Sequence, residues 1–359
     1  MAEKVLMKGN EAIAEAALRA GCRHFFGYPI TPQTEVAAYM AKRMPKLNGV
    51  FLQAESEIAA INMVYGASAA GVRALTSSSS PGVALKSEGL SYLAGCDLPA
   101  VVVNIQRGGP GLGGIRPSQA DYFHATRSSG HGDFHLIVLA PNSVQEMFDL
   151  TIEAFELADR YRMTAMILAD GMLGQVMEPV DISRANNIEI FEKKWAVTGK
   201  KGRPKNVITS LYLDEEELER LNFERFEKYK EVEKIARAEE YLTSDGEVIV
   251  VAYGICARIA KNAINIAREK GIKAGLVRPI TLWPFPKRVL KRIAEKAKAF
   301  VVVEMSMGQM IEDVELSIRC RRPVYLCRHT AGVVPTPEEV LEYIEKASEE
   351  GVKEDDCCF

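Results

Sequence analysis

Three short segments carry the residues best able to do chemistry. In the first, the apolar run Val50-Phe51-Leu52 leads into Glu55 and Glu57, and a stretch rich in Ala, Gly and Ser continues to Gly71. A carboxylate between a strand and a tightly packable helix stands where α/β proteins hold ligands. Buried beside a ligand, Glu57 would have a raised pKa and could share or donate a proton. On the surface it would be a helix-start acid favoured by the macrodipole. Glu55 competes for the same role.

The second segment is Ala100-Val101-Val102-Val103-Asn104-Ile105, whose β-branched run predicts a fully buried strand. Arg107 follows it, where a guanidinium could pair bidentately with a carboxylate or serve a structural ion pair. Gly108, Gly109, Gly111, Gly113 and Gly114 let the next loop approach a ligand or move. The third segment is Gly27-Tyr28-Pro29-Ile30-Thr31-Pro32. Two prolines fix the backbone around the Thr31 hydroxyl, which either donates toward an anion or helps cap the next helix.

Other motifs are incomplete. The glycine loop after Arg107 contains Pro110 and opens no helix, so it is not a dinucleotide fingerprint, and no Gly-Lys-Ser/Thr makes it a Walker loop. Asp170-Gly171 with Asn186-Asn187 hints at the metal-diphosphate motif of thiamine enzymes. Ala169 replaces its leading Gly, the spacing is short and Pro179 intervenes. The loop Ser77 to Gly82 reads as a polar turn or as an anion site at a helix start. The seven cysteines and five histidines form no closely spaced ligand set, so no metal site is expected on this chain.

The elements that must position these residues alternate. Strand-like runs at 24–27, 50–53, 73–76, 100–105, 135–140 and 164–169 are separated by helix-like runs. Repeated βα units imply a parallel sheet with helices on both faces. A second α/β unit opens at Glu247-Val248-Ile249-Val250-Val251, with further strands predicted at 273–277, 299–304 and 323–327. The expected fold class is therefore α/β, two doubly wound domains. They occupy residues 1–190 and 245–359, the latter with a short acidic tail. Between them, 191–244 reads as a charged linker and helical arm, with one helix over 214–241.

With 359 residues, 47% hydrophobic and 26% charged, the chain has the composition of a globular protein with real cores. A net charge of −3 gives no electrostatic case for nucleic acid or anionic membrane. No apolar run suits a membrane span and no signal-peptide stretch opens the chain, so a cytoplasmic location is expected.

Tyr28-Pro29-Ile30-Thr31-Pro32, Glu57 nine residues before Gly66, and Gln106-Arg107-Gly108-Gly109-Pro110 together resemble the α subunit of 2-oxoacid:ferredoxin oxidoreductases. The resemblance extends through Asn142-Ser143-Val144-Gln145-Glu146, Arg278-Pro279-Ile280-Thr281-Leu282-Trp283-Pro284 and Met307-Gly308-Gln309-Met310. It implies a thiamine diphosphate pyrimidine-binding domain followed by a transketolase C-terminal-like domain. It implies that Glu57 hydrogen-bonds the aminopyrimidine and favours the tautomer that takes the thiazolium C2 proton. It assigns Thr31 and Arg107 to the 2-oxoacid carboxylate, and Tyr28 and Pro29 to the lining of the pyrimidine. Arg116 is a weaker candidate for the substrate pocket.

This chain would supply half a thiamine site. The resemblance therefore implies a β subunit with the Mg2+ and diphosphate contacts, and a ferredoxin-like subunit with iron–sulfur clusters. The outcome would be acyl transfer to coenzyme A with electrons to ferredoxin. The loop Gly108 to Gly113 is most similar to the branched-chain, 2-oxoisovalerate type. The rivals are the same reaction on 2-oxoglutarate or pyruvate, and a non-catalytic assembly subunit.

Overall fold

A computed structural model describes residues 4–127, 129–185 and 188–349. The strands are β1 (Lys4–Lys8), β2 (His24–Gly27), β3 (Val50–Gln53), β4 (Ala74–Ser78), β5 (Ala100–Gln106), β6 (Ile137–Leu139) and β7 (Thr164–Asp170). They continue as β8 (Met177–Asp181), β9 (Ala238–Tyr241), β10 (Val248–Ala252), β11 (Ala274–Pro279), β12 (Thr281–Trp283), β13 (Ala299–Glu304) and β14 (Val324–Arg328).

The first sheet has the order β12-β6-β7-β5-β4-β2-β3 and is parallel except for β12, which runs antiparallel to β6. Every residue of β5 and β7 is buried, as expected of strands covered by helices on both faces. The second sheet has the order β14-β13-β10-β11-β9, with β9 as its antiparallel edge. A two-stranded ribbon joins β1 to β8.

The sequence reading missed four of these strands: β1, β8, β9 and β12. The helix expected over 214–241 stops at Val232, and the chain re-emerges as β9 on the second sheet. Residues 281–283 cross back to pair with β6, so each half of the chain lends a strand or contact to the other. The helix Glu215–Val232 lies against this joint. Tyr229 meets the rings of His135 and Trp283 edge-on, and His135 stacks on Trp283 with centroids 4.4 Å apart. Lys228 pairs with Asp97 to hold the helix base.

Asp170 is a second tie between the halves. Its Oδ1 accepts from the amides of Met172 and Leu173, capping the helix Gly171–Gln175, and Oδ2 accepts from the Ile255 amide of the second half. Burial pushes this carboxyl up, and the three amides pull it back. Such charge-assisted bonds contribute about 1.5–3 kcal/mol each. Gln119 works the same seam, donating to the Tyr253 carbonyl and accepting from the Met305 amide. Asn186 and Asn187, and likewise Cys357 and Cys358, lie outside the described residues. Among the described residues no helix is long and apolar enough to cross a membrane.

Candidate active site

The carboxyl ends of β2, β3, β4 and β5 form one edge of the first sheet, and the three predicted segments leave from it. β3 ends at Gln53, and Ser56 caps the helix Glu57–Ala69 by accepting from the Ala59 amide at 3.2 Å. That cap puts Glu57 in the first helical turn. The structure separates the two rival acids: Glu55 is exposed and Glu57 is 6% exposed.

Glu57 is unusual for a buried carboxylate. No protein donor among the described residues hydrogen-bonds its carboxylate oxygens, and no cation lies within 4.0 Å of them; Lys86 donates to its backbone carbonyl instead. Buried carboxylates ordinarily satisfy several acceptor sites. The space beside it depends on Gly82. A Cβ there would collide with Oε1 of Glu57 and with Oγ of Ser78. The obstructing atoms are ends of side chains that can turn, so Gly82→Ala should fold and move the carboxylate instead. We expect activity to fall roughly 10- to 100-fold with little change in melting temperature, the cost of misplacing a reacting group by about an ångström. Parallel melting curves and initial rates on the assembled complex check it.

Around Glu57 the buried polar inventory is rich and underused. The hydroxyls of Thr76, Ser78 and Ser79, on β4 and just after it, have no partner among the described residues. Lys86 is fully buried, and its Nζ reaches the Glu57 carbonyl at 3.4 Å. Burial pushes the Lys86 ammonium down to about 8, against an upward pull from the Glu57 carboxylate. Other serines of the 77–82 loop are engaged. Ser77 donates to Gln33 at 2.6 Å and Ser80 to Asp121 at 2.6 Å. Asp121 also accepts from Asn104 at 2.9 Å. Ser77 and Ser80 are thus tied down, whereas Ser78 and Ser79 are not.

Arg107 is 7% exposed at the end of β5. Nη1 donates to the Thr31 carbonyl and Nη2 to the Leu112 carbonyl, both at 3.0 Å, and Nε has no partner. Among the described residues no carboxylate pairs with this buried guanidinium. The structure therefore brings Thr31 and Arg107 together through the Thr31 backbone, which leaves the exposed Thr31 side chain at the mouth of the site. Tyr28 and Pro29 are exposed on the same β2 loop, Tyr28 at 37%. Arg116 is exposed and shares with Thr31 and Pro32 a groove of about 700 Å³.

Lys86 is the residue that sequence reasoning overlooked. Lysine is almost never fully buried, so a lysine within a helix-like run reads as a solvated side chain. The one available signal was its place just after the Ser-Pro-Gly turn, three residues from the apolar Val83.

One sheet edge thus brings together a buried acid without a protein donor and a buried arginine without a carboxylate partner. Residues 15–240 match the family described as pyruvate flavodoxin/ferredoxin oxidoreductase, thiamine diphosphate-binding, and residues 246–340 match pyruvate:ferredoxin oxidoreductase core domain II. The ketoisovalerate oxidoreductase subunit VorB of Methanothermobacter marburgensis is 49% identical over 346 residues, covering 96% of this chain and 98% of that protein. The 2-oxoglutarate synthase subunit KorA of Archaeoglobus fulgidus is 38% identical over 353 residues, covering 96% and 99%. Among solved structures, a 2-oxoglutarate:ferredoxin oxidoreductase from Magnetococcus marinus superimposes with a TM-score of 0.86 at 26% identity, over 97% of this chain and 66% of that one. A split-gene transketolase shares the fold, with a TM-score of 0.61 at 15% identity.

Proposed function

Because the chain belongs to the pyruvate flavodoxin/ferredoxin oxidoreductase family and is one subunit of a 2-oxoacid:ferredoxin oxidoreductase, we propose that it forms the pyrimidine-binding half of a thiamine diphosphate site. The cytoplasmic complex would oxidatively decarboxylate a branched-chain 2-oxoacid to acyl-CoA and CO2 and pass electrons to ferredoxin. A β subunit would carry Mg2+ and the diphosphate contacts, and a ferredoxin-like subunit the iron–sulfur clusters. The observation that carries this reading is the buried Glu57 carboxylate with no protein donor on it.

The residues present fit the cofactor. Glu57 offers acceptor oxygens where an aminopyrimidine ring nitrogen needs one, and the unpartnered hydroxyls of Ser78 and Ser79 lie on the adjoining strand end. Thiamine diphosphate, when bound, supplies the electron sink for the pair left as CO2 departs. Glu57 would hold and release the proton at the ring nitrogen. Arg107 would take the substrate carboxylate by charge and hydrogen bonding and fix the scissile bond's orientation. Thr31 would add a hydroxyl from the loop that Arg107 already braces. Tyr28 and Pro29 would line the pyrimidine.

The branched-chain assignment draws on the 49% identical VorB relative and on the apolar rim. Leu112 is 83% exposed and Ile115 63% exposed on the loop beyond Arg107. A second reading, 2-oxoglutarate, draws on Arg116, which stands in the Thr31 groove where a second carboxylate could pair.

Anaerobic, coenzyme A-dependent viologen reduction by the complex purified through this chain tests both. We expect the highest turnover with 2-oxoisovalerate. Preference for 2-oxoglutarate or pyruvate would keep the class and move the branch. Inactivity on all three in a complex holding thiamine diphosphate and intact clusters would overturn the proposal in favour of an assembly subunit.

A further inference from the structure

The turn between β14 and the helix Pro337–Glu349 has a shape that its own connection does not require. Ala331 and Gly332 both take positive φ, +54° and +99°, and the Val333 amide donates back to the Thr330 carbonyl at 3.1 Å. That is the φ signature of a type I′ turn, the form that suits a hairpin between antiparallel strands. Here it joins a strand to a helix. A left-handed conformation at a non-glycine residue costs stability and persists where the surroundings over-determine it.

The base of the turn is fixed to the second sheet. The His329 amide donates to the Glu304 carbonyl at the end of β13, and His329 Nε2 lies 3.3 Å from Oε2 of Glu339. The Thr336 amide holds that same oxygen at 2.7 Å. The tip of the turn seats on the first half of the chain, against the loop that follows Arg107. Gly108 stands against Ala331: a Cβ at 108 would lie 3.1 Å from the Ala331 carbonyl carbon. Gly332 stands against Arg116: a Cβ at 332 would collide with the Arg116 Cβ and lie 3.0 Å from its Cγ.

Gly108 and Arg116 are the two sides of the loop's neck. The Gly108 amide donates to the Arg116 carbonyl at 3.0 Å, and Arg107 and Pro117 form an isolated antiparallel bridge. Between them the loop carries Leu112, whose carbonyl accepts from Nη2 of Arg107 at 3.0 Å. The turn therefore touches both sides of the neck of the loop that holds the guanidinium.

We propose that the 330–333 turn of the second domain is a positioning element for Arg107, with Gly332 as its closest-fitting residue. Seated across the neck of the glycine loop, it fixes where the Leu112 carbonyl stands, and with it the guanidinium. Position 332 has no room for a Cβ, by its φ and by the close approach alike. The consequence for substrate rests on the proposed function, in which Arg107 takes the 2-oxoacid carboxylate; the seating of turn on loop does not.

Hydrogen exchange and steady-state kinetics on the assembled complex test it. In Gly332→Ala the Gly108 and Gly114 amides, which close the loop onto the Arg116 and Gly108 carbonyls, should exchange faster than in wild type. KM for the preferred 2-oxoacid should rise roughly tenfold, less than loss of the guanidinium fork itself would cause, with turnover nearly unchanged. A merely structural turn would lower the melting temperature and leave KM alone. Arg116→Gly removes the atoms that a Cβ at 332 would strike and leaves only the Cα, 3.5 Å away. In that background Gly332→Ala should change KM by less than about threefold. The strain of an alanine at this φ persists in both backgrounds and reads as lost melting temperature, so it does not account for the difference. If Gly332→Ala does not assemble, Gly108→Ala presses the same contact from the loop side, where the Ala331 backbone must give by a few tenths of an ångström. The same changes in exchange and KM are then expected at smaller size. An unchanged KM in an assembled variant overturns the proposal, and so does a KM change of equal size in the Arg116→Gly background. A wild-type complex inactive on every 2-oxoacid removes the functional reading instead, while faster exchange at Gly114 still shows the turn holding the loop.

Discussion

Glu57→Gln in the assembled complex should lower turnover by roughly 10²-fold or more, the usual contribution of a positioned proton-transfer group. Gln has the same length, so the helix that starts at Glu57 and its Ser56 cap remain. What is lost is the charge and the ability to take a proton. No protein donor on the carboxylate means that the substitution breaks no protein hydrogen bond to it, so the fold has little to lose directly. The melting temperature should therefore stay close to wild type while activity collapses. Single-turnover measurement with 2-oxoacid alone, before coenzyme A is added, places the defect at or before decarboxylation. Retention of activity within about threefold, too small a change for a lost acid–base group, would remove Glu57 from the chemistry and leave its burial unexplained.

How far the sequence reveals this site depends on how local each signal is. β2 at 24–27, β3 at 50–53 and β13 at 299–304 match their runs residue for residue, because β-branched and aromatic clusters between turn residues are local information. The family resemblance singled out Glu57 over Glu55, and of the two acids Glu57 is the buried one. What escaped is what depends on distant partners. β12 has three residues and sits between prolines, and only pairing with β6 across the joint makes it a strand. β9 is Ala-Glu-Glu-Tyr, a poor strand by composition, but its acids face basic neighbours: Glu239 pairs with Lys261 and Arg278. The long charged helix masked it, since Glu and Lys favour helix continuation. Asp170 resembled part of a diphosphate motif because a sequence cannot show that three amides already occupy its oxygens. Lys86 was invisible for the converse reason: its type predicts solvent, and only the assembled helices enclose it.

Arg107→Lys should raise KM for the 2-oxoacid by roughly 10- to 150-fold, the equivalent of one charge-assisted hydrogen bond of about 1.5–3 kcal/mol. A lysine keeps the charge but not the fork. In the wild type Nη1 and Nη2 brace the carbonyls of Thr31 and Leu112, and Nε is enclosed without a partner among the described residues. One ammonium cannot brace two loops and bind a carboxylate at once. The effect should fall on KM more than on turnover. The substrate carboxylate carries full charge in the bound state and loses it as CO2 leaves, so an ion pair to it stabilises the ground state at least as strongly as the transition state. Removing that pair weakens binding without raising the barrier from the bound complex. A modest fall in melting temperature should accompany it, because two loop carbonyls lose donors. Steady-state kinetics across a 2-oxoacid series decides the matter. An unchanged KM with collapsed turnover would mean that Arg107 acts on bond cleavage rather than on docking the carboxylate, and the substrate would then have to be held chiefly from the Thr31 side of the groove.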